Sequence, residues 1–285
     1  RGDSWRPMSL PVDLHLHTMF SDGVLTPEEL VVRCREASVQ VIAVTDHDTV
    51  AGLPRAAAEA RRQGIRLIEG VELSIEYQGQ DIHVLGYGVS AGHGAFAAML
   101  GELERAREER LHGMLGRLSG LGLPLTAEEV RSRALGRVIG RPHVAEALLA
   151  RGWIENYNDA FRYYIGAGCP AYLPNRTLAP ENAIAVIRAA GGVPVLAHPG
   201  AYADWSAVLD RFVQAGALGI EVHHPRHDPD LAQTMAEEAR RRGLIPTGGS
   251  DFHGGGRGDA SPGTWGVTVE VVERLDEARA RLSSC

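Results

Sequence analysis

Short apolar runs alternate with stretches of helical periodicity along most of this 285-residue chain. The runs are rich in β-branched side chains, and the pattern is typical of βα units around a parallel sheet or barrel. A chain of this length suits one such barrel carrying an insertion. The runs are VDLHLH (12–17), VIAVT (41–45), LIEGV (67–71), VPVLA (193–197), LGIEV (218–222), LIPTG (244–248) and WGVTVEV (265–271).

The segments between the runs contain readable helix starts. Thr26 with Glu29, and Thr126 with Glu129, have the spacing of capping boxes, so each pair predicts a helix N-terminus. The segment QDIHVLGYGV (80–89) follows the third run so closely that it predicts a hairpin partner or an adjacent strand.

The alternation breaks between about residues 94 and 174, where apolar β runs vanish and several helices are predicted, including a long one over about 96–119. We interpret this segment as a helical insertion that caps the active site. The predicted division is therefore a first barrel part over 9–93, the insertion over 94–175 and a second barrel part over 176–285. Residues 170–177 would form the return linker and residues 254–263 a Gly-rich loop, while residues 1–7 are left out of the fold prediction.

Composition excludes several classes of protein. The net charge of -7 argues against a broad nucleic-acid-binding face, and no run approaches the roughly 20 apolar residues of a membrane span. Three cysteines without metal-type spacing fit a reduced cytoplasm better than a disulfide framework. No feature indicates a stable protein partner or an oligomeric state. All 29 basic residues are arginine, which weakens any single arginine as a functional signal.

Residues that bind metals follow nearly every predicted strand. In a β/α barrel the carboxyl ends of the strands converge on one face, so these side chains would meet in one cleft. Alternation along a strand also places His15 and His17 on the same side, roughly 6 to 7 Å apart. The candidates are six histidines and three carboxylates: His15, His17, Asp22, His47, Glu72, His83, His198, Asp251 and His253.

This set of side chains indicates a catalytic metal centre. Nitrogen and carboxylate ligands without thiolates suit Mn, Fe or Zn, and nine ligands are too many for one ion and enough for two or three that share a carboxylate. The positive charge of such a cluster favours a polyanionic substrate. The chemistry expected is metal-assisted phosphoester hydrolysis, with a metal-bridging hydroxide as the nucleophile.

The ordered motifs resemble those of the PHP (polymerase and histidinol phosphatase) family of metal-dependent phosphoesterases. They are DLHLHT with SDG, TDHD, GVELS, HVLGYG, AHPG and GSDFH, and they cover roughly residues 11–90 and 176–270. The insertion, with REER and GRPH, is similar to that of a subgroup of nucleoside 3',5'-bisphosphate phosphatases and 5'-to-3' exoribonucleases that act on short RNA.

The resemblance implies a distorted seven-stranded β/α barrel with a trinuclear centre, in which Mn²⁺ is the expected ion and Fe²⁺ or Zn²⁺ the alternatives. It assigns His15, His17, Glu72 and Asp251 to one ion. Glu72 would bridge to a second ion held by His83 and His198. A third ion would take Asp22, His47 and His253. Every ligand position is filled in this sequence.

The resemblance also implies residues for substrate binding. Arg141 and His143 of GRPH match a phosphate-contacting motif, and Arg107 and Arg110 would reach a second phosphate, with a solvated helix face as the alternative. His227 is the best candidate for a substrate contact or a proton donor, although His223 and His224 are not ranked firmly below it. With His227, Asp46 is assigned to the catalytic set, as a carboxylate that orients ligands. Its neighbour Asp48 is also expected to orient ligands.

The sequence therefore predicts a cytoplasmic metallophosphoesterase acting on nucleoside 3',5'-bisphosphates, on short 5'-phosphorylated RNA, or on both. For RNA, the insertion offers aromatic side chains for stacking: Trp153, Tyr163, Tyr164 and Tyr172. One alternative is a phosphomonoesterase for another metabolite such as histidinol phosphate. The other is a non-catalytic, metal-stabilised binding module, against which the intact ligand set and the acidic charge both count.

Overall fold

Seven strands form the centre of the protein in a computed structural model that describes residues 11–134, 138–174, 178–254 and 260–283. Six of the seven predicted apolar runs lie in strands, and the predicted hairpin partner supplies the remaining strand. The strands are β1 (Val12–Leu16), β2 (Val41–Val44), β3 (Arg66–Tyr77), β4 (Gln80–Tyr87), β5 (Val193–Leu196), β6 (Gly219–His223) and β7 (Ile245–Gly248).

The strands pair in chain order from β1 to β7. All neighbouring pairs are parallel except those of β4, which forms an antiparallel hairpin with β3 and is also antiparallel to β5. A bridge from Leu16 to Phe252, just after β7, brings the two ends of the sheet together into a nearly closed barrel. The predicted α/β fold, a distorted seven-stranded barrel, is confirmed.

Helices connect and surround the strands. Both predicted capping boxes are confirmed, at Thr26 with Glu29 and at Thr126 with Glu129. Among the described residues, no helix combines the length and apolar character needed to cross a membrane. The helices are α1 (Pro27–Glu36), α2 (Leu53–Gln63), α3 (Gly94–Gly120), α4 (Ala127–Arg131), α5 (Arg141–Ala150), α6 (Tyr157–Ala160), α7 (Pro180–Ala189), α8 (Trp205–Ala215), α9 (Pro229–Arg242) and α10 (Val269–Leu282), with a π-helical turn at Phe161–Ile165 and a 3-10 turn at Pro199–Ala201.

Between β4 and β5, helices α3 to α6 precede α7, and the long helix predicted over about 96–119 is α3. The C-terminal half of α3 packs with α4, α5 and α6 in a separate hydrophobic cluster that includes Leu111, Leu118, Val144 and Leu148. The domain boundaries at 93/94 and 175/176 stay a prediction. Residues 175–177 of the expected linker, residues 255–259 of the Gly-rich loop and the leading residues 1–7 lie outside the described ranges.

The run at 265–271 is not a strand, which corrects the seventh predicted run. Val267 forms one isolated antiparallel bridge with Val12, and α10 begins two residues later. Val272 and Leu275, just beyond the run, lie on one face of α10 and are buried against the barrel, and their burial stabilises a helix that starts inside the run.

Candidate metal centre

The candidate centre lies where the carboxyl ends of the strands converge. His15 and His17 are fully buried there, and their ring centroids are 5.1 Å apart, so the two rings share one side of β1 as alternation requires. Glu72 reaches the same place from within β3, which runs beyond the predicted strand end because residues 70–77 pair with β4.

The carboxylate of Glu72 is the hub of the centre. Its Oε2 lies 3.1 Å from Nε2 of His15 and 3.2 Å from Nε2 of His17. Its other oxygen, Oε1, lies 2.8 Å from Nδ1 of His83 and 3.0 Å from Nε2 of His198. One carboxylate therefore faces two separate groups of histidines, which is the arrangement expected of a bridging ligand.

Asp251 completes the first of these groups. Its Oδ1 lies 3.2 Å from Nε2 of His17 and 3.4 Å from Nε2 of His15. The side chains of His15, His17, Glu72 and Asp251 thus converge, as the sequence resemblance implies for one ion.

A third group forms around Asp22, in the turn after β1. Its Oδ1 lies 3.3 Å from Nε2 of His253 and 3.8 Å from Nε2 of His47. Ligand atoms of these three residues and of His17 all lie within 4.8 Å of one another. Nδ1 of His47 also lies 3.2 Å from Oε2 of Glu72, so His47 stands between the first and third groups.

The donor set fits divalent cations. Nε2 of His17, Nδ1 of His47 and Oδ1 of Asp22 are buried and have no hydrogen-bond partner within the described part of the chain. Buried polar atoms normally find partners, and divalent cations bound at the centre would supply them. The structure therefore brings all nine predicted ligand residues together, while their assignment to individual ions stays a prediction.

Electrostatics around the centre also suit cations. Burial would raise the pKa values of Asp22, Glu72 and Asp251, but the surrounding histidines hold all three well below the usual range. Burial lowers the pKa of His47 to about 3 and that of His198 to about 4, which leaves neutral imidazoles at neutral pH. Burial would lower the pKa values of His15, His17 and His253, but the neighbouring carboxylates raise all three, that of His17 to about 10, so a metal ion binding there displaces protons. Ionised carboxylates and neutral imidazoles are the forms that bind metal ions.

Asp46 fixes the turn that carries Asp22. Its Oδ1 accepts the Thr18 amide at 2.7 Å and the Ser21 hydroxyl at 2.7 Å, and its Oδ2 accepts the Thr18 hydroxyl at 2.6 Å. The carboxylate is buried and is not part of the cavity wall described below. This placement supports an orienting role for Asp46.

The centre opens into a cavity of about 230 Å³. Seven of the nine ligand candidates line it, while His15 and His17 lie behind them. The insertion supplies much of the remaining wall, and the predicted substrate-binding residues Arg107, Arg110, Arg141 and His143 are all part of it.

Arg141, the first residue of α5, is held in place inside this cavity. It donates to Asp81 at 2.9 Å, and its guanidinium carbon lies 5.6 Å from the ring centroid of Tyr172 and 6.0 Å from that of Phe161. A carboxylate and two aromatic rings thus restrict the guanidinium, which lowers the entropy cost of binding an anion there.

Arg110 lies beside Arg141. Its Nε donates to the carbonyl of Leu173 at 2.7 Å, whereas its buried Nη2 has no hydrogen-bond partner in the described ranges. Burial, together with the positive charges of Arg141 and Arg107, lowers the pKa of Arg110 to about 10. An anion in the cavity would offset this unfavourable concentration of positive charge.

Two of the predicted substrate-binding residues also have structural partners, and their contact with substrate stays a prediction. Arg107 is buried and paired with Asp48 and with Ser74, whose hydroxyl it contacts at 2.8 Å. Nδ1 of His143 accepts the Gly140 amide at 3.0 Å and so caps the start of α5.

The structure does not bring His227 to the cavity. Nδ1 of this buried residue donates to the carbonyl of Val222 at 2.8 Å, and Nε2 accepts the Gly200 amide at 3.0 Å. Both ring nitrogens are occupied, which argues against the expected substrate contact or proton transfer.

Sequence reasoning missed Glu221 and Arg226. Glu221 is fully buried, and its Oε1 lies 2.9 Å from Nδ1 of His15. The one indication of a functional role in the sequence was the position of this acidic residue inside the apolar run LGIEV. Arg226 lines the cavity from the turn after β6. Among the aromatics predicted to stack, Trp153 and Tyr163 are exposed, and neither is part of the cavity wall.

Two bacterial enzymes are similar to the chain over most of its length. It is 35% identical to a 3',5'-nucleoside bisphosphate phosphatase of Chromobacterium violaceum, over 88% of this chain and 90% of the relative. It is 36% identical to a 5'-3' exoribonuclease of Haemophilus influenzae, over 86% of this chain and 91% of the relative.

A solved structure from Bifidobacterium adolescentis, assigned as a metal-dependent phosphoesterase, superposes with a TM-score of 0.88 at 31% identity and covers 96% of this chain and 98% of its own. Fold, site and relatives together define a metal-dependent phosphoesterase. The sequence pattern of the PHP domain matches residues 13–164, so the chain belongs to the PHP domain family.

Proposed function

We propose that the enzyme hydrolyses the 3'-phosphate of nucleoside 3',5'-bisphosphates, and that it also degrades short 5'-phosphorylated RNA from the 5' end. The observation that carries the proposal is the presence of two anion-binding sets in one cavity. The candidate metal centre forms one set, and Arg110 with Arg141 forms the other. A substrate with two phosphates separated by a ribose would engage both sets.

In this proposal, His15, His17, Glu72 and Asp251 hold one divalent ion, and Glu72 bridges to a second ion at His83 and His198. Asp22, His47 and His253 hold a third. We propose Mn²⁺ as the ion, since the ligands are nitrogen and carboxylate oxygen without thiolate. When bound, such ions activate water near neutral pH and neutralise charge on phosphate oxygens.

The residues of the insertion orient the substrate. Arg141 already makes one hydrogen bond to Asp81, and the rest of its planar fork is suited to a pair of phosphate oxygens. Nη2 of Arg110 supplies a further donor. Holding the 5'-phosphate at this end places the 3' side of the ribose toward the metal ligands, which lowers the entropy cost of reaching a reactive geometry.

The two relatives support this substrate class. One is named for nucleoside bisphosphates and the other for 5'-3' exoribonuclease activity. Both substrates present a 5'-phosphate next to the phosphorus that is attacked, so one arginine set serves both. The odd number of cysteines without metal-type spacing supports a cytoplasmic location for such an enzyme.

The proposal is tested by turnover of the Mn²⁺-loaded protein on three substrates: adenosine 3',5'-bisphosphate, a short 5'-phosphorylated RNA and histidinol phosphate. We expect phosphate release from the first, mononucleotide release from the second and much slower hydrolysis of the third. Preferred hydrolysis of histidinol phosphate would favour the metabolite phosphatase instead. No product from any of the three would contradict the proposed substrate class.

A further inference from the structure

β6 differs from the other strands because neither it nor the turn that follows it carries any of the nine candidate ligands. Two residues at its carboxyl end nevertheless contact three of those ligands. Glu221 contacts His15 and His198, and His224 contacts Asp251. All of these contacts are buried or partly buried, so β6 forms a layer of the site behind the candidate ligands.

Glu221 uses both of its carboxylate oxygens. Oε1 lies 2.9 Å from Nδ1 of His15, and Oε2 accepts the backbone N–H of His198 at 2.7 Å. A proton on Nδ1 of His15 leaves the lone pair of Nε2 directed at the centre, where Glu72 lies 3.1 Å away. Glu221 is fully buried, so water does not compete for either hydrogen bond.

The backbone is strained at two of the candidate ligands that this layer contacts, His198 and Asp251. His198 has a φ of 24° and Asp251 a φ of 51°, and both angles lie in the left-handed region that side chains other than glycine rarely adopt. Such conformations persist where surrounding contacts enforce them. The hydrogen bond from the His198 amide to Glu221 is one such contact.

His224 contacts Asp251 through the carboxylate oxygen that the histidine ligands do not use. Nδ1 of His224 accepts the Arg226 amide at 3.0 Å, so Nε2 carries the proton and donates to Oδ2 of Asp251 at 3.2 Å. The other oxygen of Asp251 remains directed at His17, 3.2 Å away. The hydrogen bond therefore fixes which carboxylate oxygen faces the centre.

We propose that Glu221 and His224 are positioning residues that set the tautomer of His15 and the orientation of His198 and Asp251, and thereby the affinity of the centre for divalent ions. His15, Glu221 and His224 lie close enough to form a metal site of their own. An ion there would require His15 to bind metal through Nδ1 as well as Nε2, and Nδ1 already contacts Glu221 at 2.9 Å. The inference rests on the ligand roles proposed above and not on the choice of substrate.

Glu221→Gln tests the proposal at nearly constant side-chain volume. The glutamine side chain has a single acceptor oxygen. Two groups donate to Glu221 in the unmodified protein, the ring of His15 and the backbone N–H of His198. Loss of this kind of support typically weakens metal binding about 10- to 100-fold. We expect a loss of that size when Mn²⁺ affinity is measured by titration against a competing chelator. The matched control is Glu59→Gln, another buried glutamate, which pairs with Arg62 and Gln63 on α2 and should bind Mn²⁺ like the unmodified protein.

His224→Phe is the second variant, because it keeps the ring and removes the hydrogen bond to Asp251. It should also weaken Mn²⁺ binding, and excess Mn²⁺ should restore turnover in both variants, as expected of residues that act through ligands. If Glu221→Gln does not fold, as judged by circular dichroism, His224→Phe decides the question. Mn²⁺ affinities equal to those of the Glu59→Gln control would overturn the proposal. The titration needs no substrate, so a wrong substrate class would not affect its outcome.

Discussion

Arg107 of the insertion and Asp48 of the barrel form a buried ion pair. Nε of Arg107 donates to Oδ2 of Asp48 at 2.7 Å, and Oδ1 of Asp48 accepts the Ser74 amide at 2.8 Å. Asp48 directly follows the candidate ligand His47. The pair therefore joins α3 to the segment that positions one side of the metal centre, and Arg107 links the insertion to the barrel.

Arg107→Ala should destabilise the protein by about 3 to 5 kcal/mol, because removing one partner leaves a buried, uncompensated carboxylate. Chemical denaturation measures this change in the free energy of unfolding. Arg105→Ala is the control, since Arg105 lies on the same helix with an exposed side chain and should change stability by no more than about 0.5 kcal/mol. Equal stability of the two variants would show that the pair does not fasten the insertion.

His17→Ala and Arg141→Ala should separate metal binding from substrate binding. The first removes a side chain that lies within 3.2 Å of both Glu72 and Asp251, so metal content and turnover should both fall. The second should keep its metal and raise KM. Elemental analysis of the two purified variants, alongside steady-state kinetics, checks the prediction. Equal metal loss in both variants would refute the division of roles.

Asp46→Asn should weaken the third group of ligands without abolishing catalysis. The amide has one acceptor oxygen, whereas the carboxylate accepts three hydrogen bonds from Thr18 and Ser21. The turn carrying Asp22 should loosen, and turnover should need more Mn²⁺ to reach a similar maximum. A Mn²⁺ titration of activity measures this shift. If turnover stays negligible at saturating Mn²⁺, Asp46 takes part in the reaction itself.

Gly249→Ala should disrupt the centre, because a Cβ there would lie 2.4 Å from both Cβ and the backbone nitrogen of His15. We expect loss of bound metal or of folded protein. Gly116→Ala is the control, because no atom lies within 4 Å of a Cβ added at this position on α3. The alanine should raise the free energy of unfolding by about 1 kcal/mol. Metal content and thermal unfolding are measured for both variants. A normal metal content in Gly249→Ala would contradict the close packing of Gly249 against His15.

Much of the barrel could be predicted from sequence because short apolar runs and capping residues are local signals. The hairpin at β4 was also visible, since its run follows β3 after a short turn. Residues 265–271 misled the prediction because β-branched residues favour strands locally, whereas tertiary burial of Val272 and Leu275 favours a helix. Local propensity does not report such tertiary contacts.

The ligand residues could be predicted because each follows or lies within a recognisable strand. Partnerships between distant residues could not. Glu221 lies 206 positions from His15, and Arg107 lies 59 positions from Asp48, so neither pairing leaves a local pattern. For the same reason, the sequence of this Glu/Arg-rich helix could not show whether the side chain of Arg107 is buried or exposed to solvent. His227 looked functional because it follows a strand, but its ring nitrogens bond to the backbone.

The central claim is that one cavity binds two phosphates, one at the metal centre and one at Arg141. The most direct test compares kcat/KM for adenosine 3',5'-bisphosphate and adenosine 3'-monophosphate in the unmodified enzyme and in Arg141→Ala, with Arg162→Ala as an exposed control from the same insertion. Removing the 5'-phosphate or Arg141 should each cost about 10- to 100-fold, as expected for a hydrogen bond between charged groups. Removing both should cost little more than removing the 5'-phosphate alone, because without that phosphate Arg141 has lost its interaction already. Losses that multiply, or an Arg141→Ala effect equal on both substrates, would contradict the account.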